Sequence, residues 1–242
     1  MPRCRAYMKE CGEKTVKLKT IAHIRTDFPE KFGIPRQSGL VKGLKGRIVF
    51  ESEYRNPDAI RGIEGFSHLW LIWGFSEVKQ DEDKWCATVA PPRLGGRKRM
   101  GVFATRSPFR PNPIGLSSVK LEGVEYDKKL GCVLVVSGID MLDGTPIYDI
   151  KPYLPYADVH EDSVGGFGDE VKEHRLEVVI SPELMGRIPE EERENVIQLL
   201  REDPRTAFIH DKEREWGISY GRINVRFKVV GNVLTVTQID DI

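Results

Sequence analysis

Across the first 158 residues, short apolar and β-branched runs are separated by Pro- and Gly-rich stretches, with no long segment of helical apolar period. Strands are expected at Val16–Arg25, Gly46–Glu51, His68–Phe75, Val102–Thr105, Ser117–Tyr126 and Leu130–Ile139. The continuous apolar run at His68–Phe75 predicts a strand buried on both sides. Asn56-Pro57-Asp58 predicts a turn and a short helical piece up to Gly62, with Asp58 as its cap. About six strands with almost no helix predict one sheet closed or rolled into a barrel. Helices do not alternate with strands, and no strand–GxGxxG–helix unit or Walker loop occurs. A doubly wound nucleotide-binding sheet is therefore excluded.

After Asp158 the texture changes. His160–Glu170 sets three glycines among acids and reads as a linker. Pro189–Asp203 has the clearest helical stripe (Val196, Ile197, Leu199, Leu200), with acids in its first turn. Strands are expected at Leu176–Ile180, Ile218–Tyr220, Ile223–Val230 and Val233–Ile239, the last two joined by a tight turn at Gly231-Asn232. The chain thus divides into a basic arm (1–16), a single-sheeted β-barrel domain (17–158), a linker (159–175) and a small α+β domain (176–242).

No apolar run reaches membrane-spanning length, and the basic N-terminus lacks the apolar core of a signal peptide. Cys4, Cys11, Cys86 and Cys132 form no metal or redox spacing, so free thiols in a reducing cytoplasm are expected, without a metal.

Lys and Arg number 37, as do Asp and Glu, yet the balance is local rather than uniform. From Lys84 to Leu121 there is no acid, while Arg93, Arg97, Lys98, Arg99, Arg106 and Arg110 are all present. Within Ala90–Gly115, five prolines and four glycines stiffen and turn the chain. Arginines on such a frame suit bidentate binding of phosphate or carboxylate, the footprint of a polyanion. A second dense segment places Asp140, Asp143, Asp149 and Asp158 among turn residues and Tyr148, Tyr153 and Tyr156. Each Asp alone is explained by an Asx turn; the group, set against a cationic loop, fits a site. The tyrosines fit either base stacking or packing. For His68 a satisfied strand residue and a ligand contact are both open.

Ile34-Pro-Arg-Gln, Gly65-Phe-Ser-His-Leu-Trp, Ala90-Pro-Pro-Arg-Leu-Gly-Gly, Arg99 through Leu116 and Asp143-Gly-Thr-Pro followed by Asp149-Ile-Lys-Pro-Tyr resemble the TrmO tRNA methyltransferase family, also called YaeB or TsaA-like. The likeness covers roughly residues 18–158, and Asp203-Pro-Arg-Thr-Ala and Asn224-Val-Arg-Phe resemble the C-terminal domain of its bacterial members. The resemblance implies a homodimeric barrel that binds S-adenosylmethionine without a Rossmann fold. It also implies methylation of N6 of threonylcarbamoyladenosine at position 37, beside the anticodon, with tRNA-Thr as the expected substrate.

Carried over residue by residue, the cofactor contacts fall on Pro35, Arg36, Gln37, His68, Leu69, Arg106, Leu116, Asp143, Gly144, Thr145 and Pro146, with no departure at those positions. Asp149 or Tyr153 is the expected proton acceptor. Arg93, Arg97, Lys98, Arg99 and Arg110 are expected to meet the tRNA anticodon loop. Two other classes fit the residues alone: an RNA-binding barrel without catalysis, and a metal-dependent hydrolase of a small acidic substrate.

Overall fold

The computed structural model describes residues 16–77, 85–94, 98–171, 174–205 and 214–242. Arg97 and all but the last residue of the expected basic arm lie outside them, as does the side chain of Arg93. In chain order the strands are β1 (Ala22–Thr26), β2 (Lys45–Phe50), β3 (His68–Gly74), β4 (Thr88–Val89), β5 (Met100–Gly101), β6 (Ile114–Asp127), β7 (Gly131–Ser137), β8 (Pro146–Pro152), β9 (Glu177–Val179), β10 (Trp216–Tyr220), β11 (Ile223–Val230) and β12 (Val233–Asp241).

Six of them form an antiparallel sheet in the order β1-β2-β7-β6-β3-β8, and β8 pairs back onto β1, closing a barrel without open edges. The closing seam is short, Ala22 opposite Ile147 and His23 opposite Pro146. It is extended by backbone bonds between Ile24 and both Thr145 and Gly144. Alternation along the strands sends Ile24, Ile48, Leu69, Leu71, Val119, Leu134, Val136 and Ile147 inward, where all are fully buried or nearly so.

The structure corrects several local expectations. β3 is buried on one face only: Leu69, Leu71 and Trp73 face the core, whereas Trp70 and Ile72 are half-buried. A single-sheeted barrel has one interior, so the outer residues of an apolar run find only local partners, such as Tyr153 against Trp70 at 5.5 Å. Val102–Ala104 is a 3-10 turn, not a strand, closed by the Thr105 amide bonding the Val102 carbonyl at 3.1 Å. The short helix at Pro57–Ile60 is capped by Asn56, whose side chain accepts from the Asp58 amide at 3.0 Å. Pro57 then takes the first helical position, which needs no N–H.

The C-terminal sheet runs β10-β11-β12-β9, with β9 parallel to β12. The helix Arg193–Arg201 packs on it through Val196, Leu199 and Leu200; Ile197 is only half-buried. The expected linker contains a short helix, Phe167–Val171. Sheet and barrel share one buried apolar cluster. They meet on the long loop between β1 and β2: Phe28 packs on Tyr220 with ring centroids 5.3 Å apart, and Phe32 stacks on Trp216 at 5.8 Å and 12°. Gly33, at φ +97°, lets that loop lie directly on Ile218, where a methyl group would crowd the isoleucine side chain.

Candidate active site

A cleft of about 1140 Å³ opens at the end of the barrel where β3 finishes and β6 begins. Four stretches distant in sequence build it. Phe32–Gln37 comes from the β1–β2 loop, Trp73 and Phe75 from the exit of β3, most residues between Phe103 and Leu116 from the cationic segment, and Asp140, Met141, Leu142 and Thr145 from the approach to β8. Pro204 and Arg205 add a wall from the C-terminal region.

The floor is set by a close approach. Gly115, opposite Trp73 in the β3–β6 register, has no room for a side chain, because a methyl group there would overlap the indole. The indole Nε1 donates to Ser117 Oγ at 3.0 Å, and that hydroxyl donates to Asp140 Oδ1 at 2.7 Å. Ser117 is fully buried, while Asp140 keeps part of its surface open to the cleft. Burial pushes the Asp140 carboxyl up to about 6, against the downward pull of the Ser117 hydroxyl, the Ser38 amide and the Arg106 charge.

Arg106 reaches over the cleft and donates through Nη1 to Gln37 Oε1 at 2.5 Å. Arg110 donates to the Thr105 carbonyl at 3.1 Å and also lines the cleft. Arg99 is turned elsewhere: its guanidinium holds Thr88 through Oγ1 and the carbonyl, both at 2.7 Å, bracing β4 against β5. Lys98 is exposed. Phe103, Phe109 and Leu116 present exposed apolar surface at the mouth, at 70%, 54% and 54% exposure.

Of the residues singled out from sequence, Pro35, Arg36, Gln37, Arg106, Arg110, Leu116 and Thr145 come together here. Asp143, Gly144 and Pro146 sit beside the cleft and hold the barrel seam. Asp143 accepts from the Thr26 amide at 3.0 Å and lies 3.4 Å from Arg25, and Gly144 turns at φ +75°. Within one chain, His68 and Leu69 do not join them. They lie toward the opposite end of β3, roughly 17 Å (His68) and roughly 13 Å (Leu69) along the strand from Trp73. Leu69 is fully buried; His68 is exposed and bonds Ser67 Oγ at 3.0 Å.

Tyr153 lies at that far end too, packed against His68 and Trp70. Asp149 is paired with Lys151 at 3.0 Å and caps the Ile150 amide. Neither expected proton acceptor lines the cleft. Asp158 accepts from the Trp70 indole at 3.0 Å, so the four aspartates of the dense segment do not converge. The structural reason is strand β8, which leaves Asp140 and Asp143 before its start, holds Asp149 within it and carries Asp158 beyond its end.

The fold and cleft define a β-barrel protein that builds its principal cleft from end loops, not at the switch point of a parallel sheet. Residues 23–159 match the model of the tRNA-methyltransferase O N-terminal domain, and residues 173–242 that of the TrmO C-terminal domain. The chain is 38% identical over 221 residues to a tRNA (adenine(37)-N6)-methyltransferase of Escherichia coli, covering 88% of this chain and 93% of the relative. It is 39% identical to a putative S-adenosylmethionine-dependent methyltransferase of Pseudomonas aeruginosa, over 86% and 88% of the two chains. The crystal structure of TrmO from Pseudomonas aeruginosa superposes with a TM-score of 0.72 at 32% identity, covering 93% of this chain and 99% of that one. The chain belongs to the TrmO family of tRNA methyltransferases.

Proposed function

We propose that this chain transfers a methyl group from S-adenosylmethionine to N6 of threonylcarbamoyladenosine at position 37 of tRNA, with tRNA-Thr as its substrate. The observation that carries this reading is the convergence of Pro35, Arg36, Gln37, Arg106, Leu116 and Thr145 on one cleft. The cleft suits the cofactor chemically. Trp73, Phe75 and Met141 offer apolar surface for an adenine, and Arg36, Arg106 and Arg110 surround it with groups that bind a carboxylate. Bound there, the sulfonium supplies an activated methyl group. The protein's part is to orient the acceptor nitrogen and to receive its proton.

Threonylcarbamoyladenosine carries a carboxylate of its own, for which Arg110 at the mouth is the partner. The exposed rings of Phe103 and Phe109 offer stacking surface for an unpaired base of the anticodon loop. A homodimer completes the site: His68 at the far end of β3 reaches a cofactor only if a second copy brings that end to the cleft. The C-terminal sheet and its helix form the small α+β domain, which helps hold the tRNA.

Two measurements separate this reading from its rivals. An RNA-binding module without catalysis would not be stabilised against heat by S-adenosylmethionine. Nucleosides from the tRNA of cells lacking the gene, compared by mass spectrometry with those of the parent strain, test the activity. Loss of the methylated threonylcarbamoyl nucleoside supports it, and an unchanged profile rejects it.

A further inference from the structure

The reaction releases a proton, and the residues expected to receive it stand away from the cleft. Among the described residues two carboxylates line it, Glu77 and Asp140. Glu77 is exposed and paired with Lys31 at 3.1 Å, whereas Asp140 is enclosed by the fold. It sits at the end of the Trp73–Ser117–Asp140 chain of hydrogen bonds, with links of 3.0 and 2.7 Å, which fixes the carboxyl group and leaves part of its surface facing the cavity. A carboxylate so enclosed is costly unless held, and three donors hold it: the Ser117 hydroxyl from β6, the Ser38 amide from the β1–β2 loop, and its own amide. Arg106, bonded to Gln37 across the cleft, is the charge set against it.

We propose that Asp140 is the proton acceptor of methyl transfer. The inference rests on the methyltransferase reading above. As the acceptor N6 forms its bond to the methyl carbon, the carbon–sulfur bond breaks and its electron pair stays on sulfur. The N6 proton passes to the Asp140 carboxylate, which later releases it to solvent through the open mouth. A positioned base of this kind contributes on the order of 10²–10⁴ in rate. The raised affinity of Asp140 for protons suits the task, since it is ionised at neutral pH yet a better acceptor than an exposed aspartate.

The test is Asp140→Asn in the full chain, with cofactor binding by calorimetry, thermal melting, and single-turnover methyl transfer to threonylcarbamoylated tRNA across pH 5 to 8. Asp140→Asn should bind S-adenosylmethionine within about threefold of wild type and melt no lower, while transfer falls on the order of 10²-fold or more. The wild-type rate should drop below about pH 6, and that limb should be absent in the variant. Ser117→Ala provides a second reading. Removing a donor to the charged form should move the acid limb to higher pH while the alkaline plateau survives, a shift that a purely structural role does not produce. Asp140→Asn that keeps the rate within threefold, keeps the acid limb, or loses cofactor binding in step with rate overturns the proposal. Absence of transfer by the wild-type protein itself would instead overturn the methyltransferase reading.

Discussion

Arg36 donates through Nη2 to the backbone carbonyl of Arg205 at 2.7 Å, joining the β1–β2 loop of the barrel to a segment 169 residues further along the chain. Arg205 is held in turn by Asp203, with Nε 2.8 Å from Oδ1 and Nη2 2.9 Å from Oδ2. Asp203 adopts φ +51°, a left-handed conformation that Asp and Asn tolerate better than other side chains. The C-terminal region therefore shapes the cleft as well as serving any tRNA contact. Asp203→Asn keeps the turn and weakens the clamp. It is expected to lower S-adenosylmethionine affinity severalfold by calorimetry; a variant that weakens only tRNA binding would contradict this role.

The same aspartate links stability to pH. Burial raises its carboxyl pKa, but the hydrogen bonds from Arg205 and His174 outweigh that and hold it down at about 2. A depressed carboxyl contributes stability that is present above its unfolded value, near 4, and lost as pH falls through about 2. With His174 half exposed, the contribution is roughly 1–2 kcal/mol after screening. Chemical denaturation from pH 5 down to pH 2 should show wild type losing that increment relative to Asp203→Asn.

Asp140 has the opposite sign. Its carboxyl is raised to about 6, so the folded state binds a proton more tightly than the unfolded one, and stability falls as pH rises from about 4 to 6. An amide at this position carries no charge to desolvate. Asp140→Asn should melt at or above wild type at pH 7.5 and lose that advantage at pH 4, a trade of stability for activity common at active sites. Calorimetric melts at the two pH values decide it.

Gly115→Ala should destabilise the fold by about 1–3 kcal/mol, because the added methyl must displace the Trp73 indole or the strand beneath it. Displacement would also break the Trp73–Ser117 bond, so cofactor affinity should fall with it. Urea titration monitored by tryptophan fluorescence measures the first effect.

Arg110→Ala should cost more activity on threonylcarbamoylated tRNA than on the same tRNA without that group, by about tenfold, the value of one charged hydrogen bond. Equal losses on both would place Arg110 on the phosphate backbone instead.

Much of this was legible beforehand in residue patterns, and the gaps have physical causes. Alternating apolar residues mark β2, β6, β11 and β12 well, since each buries one face, while β7 is marked by its Val and Leu content and buries residues on both faces. β8 is not legible because Pro146 and Pro152 bound it and its aspartate and tyrosine resemble turn chemistry; pairing with β3 and β1 reveals it as a strand. The cleft motifs at Pro35-Arg36-Gln37 and Arg106 were visible as strings. The enclosure of Asp140, in contrast to Asp149, is not legible there, because it depends on elements distant in sequence, with Ser117 and Ser38 bonding the carboxyl against the cost of burial. Pro204 and Arg205 reach the cleft through packing of Phe32 on Trp216, which no local pattern announces.

The most direct test gives the purified protein S-adenosylmethionine with a labelled methyl group and tRNA that carries threonylcarbamoyladenosine, then digests the tRNA and locates the label by mass spectrometry. The label should appear on N6 of the threonylcarbamoyl nucleoside beside the anticodon, and appear on the order of 10²-fold more slowly when Asp140→Asn replaces the wild-type protein. Label on another nucleoside, or none with the wild-type protein, would contradict the account.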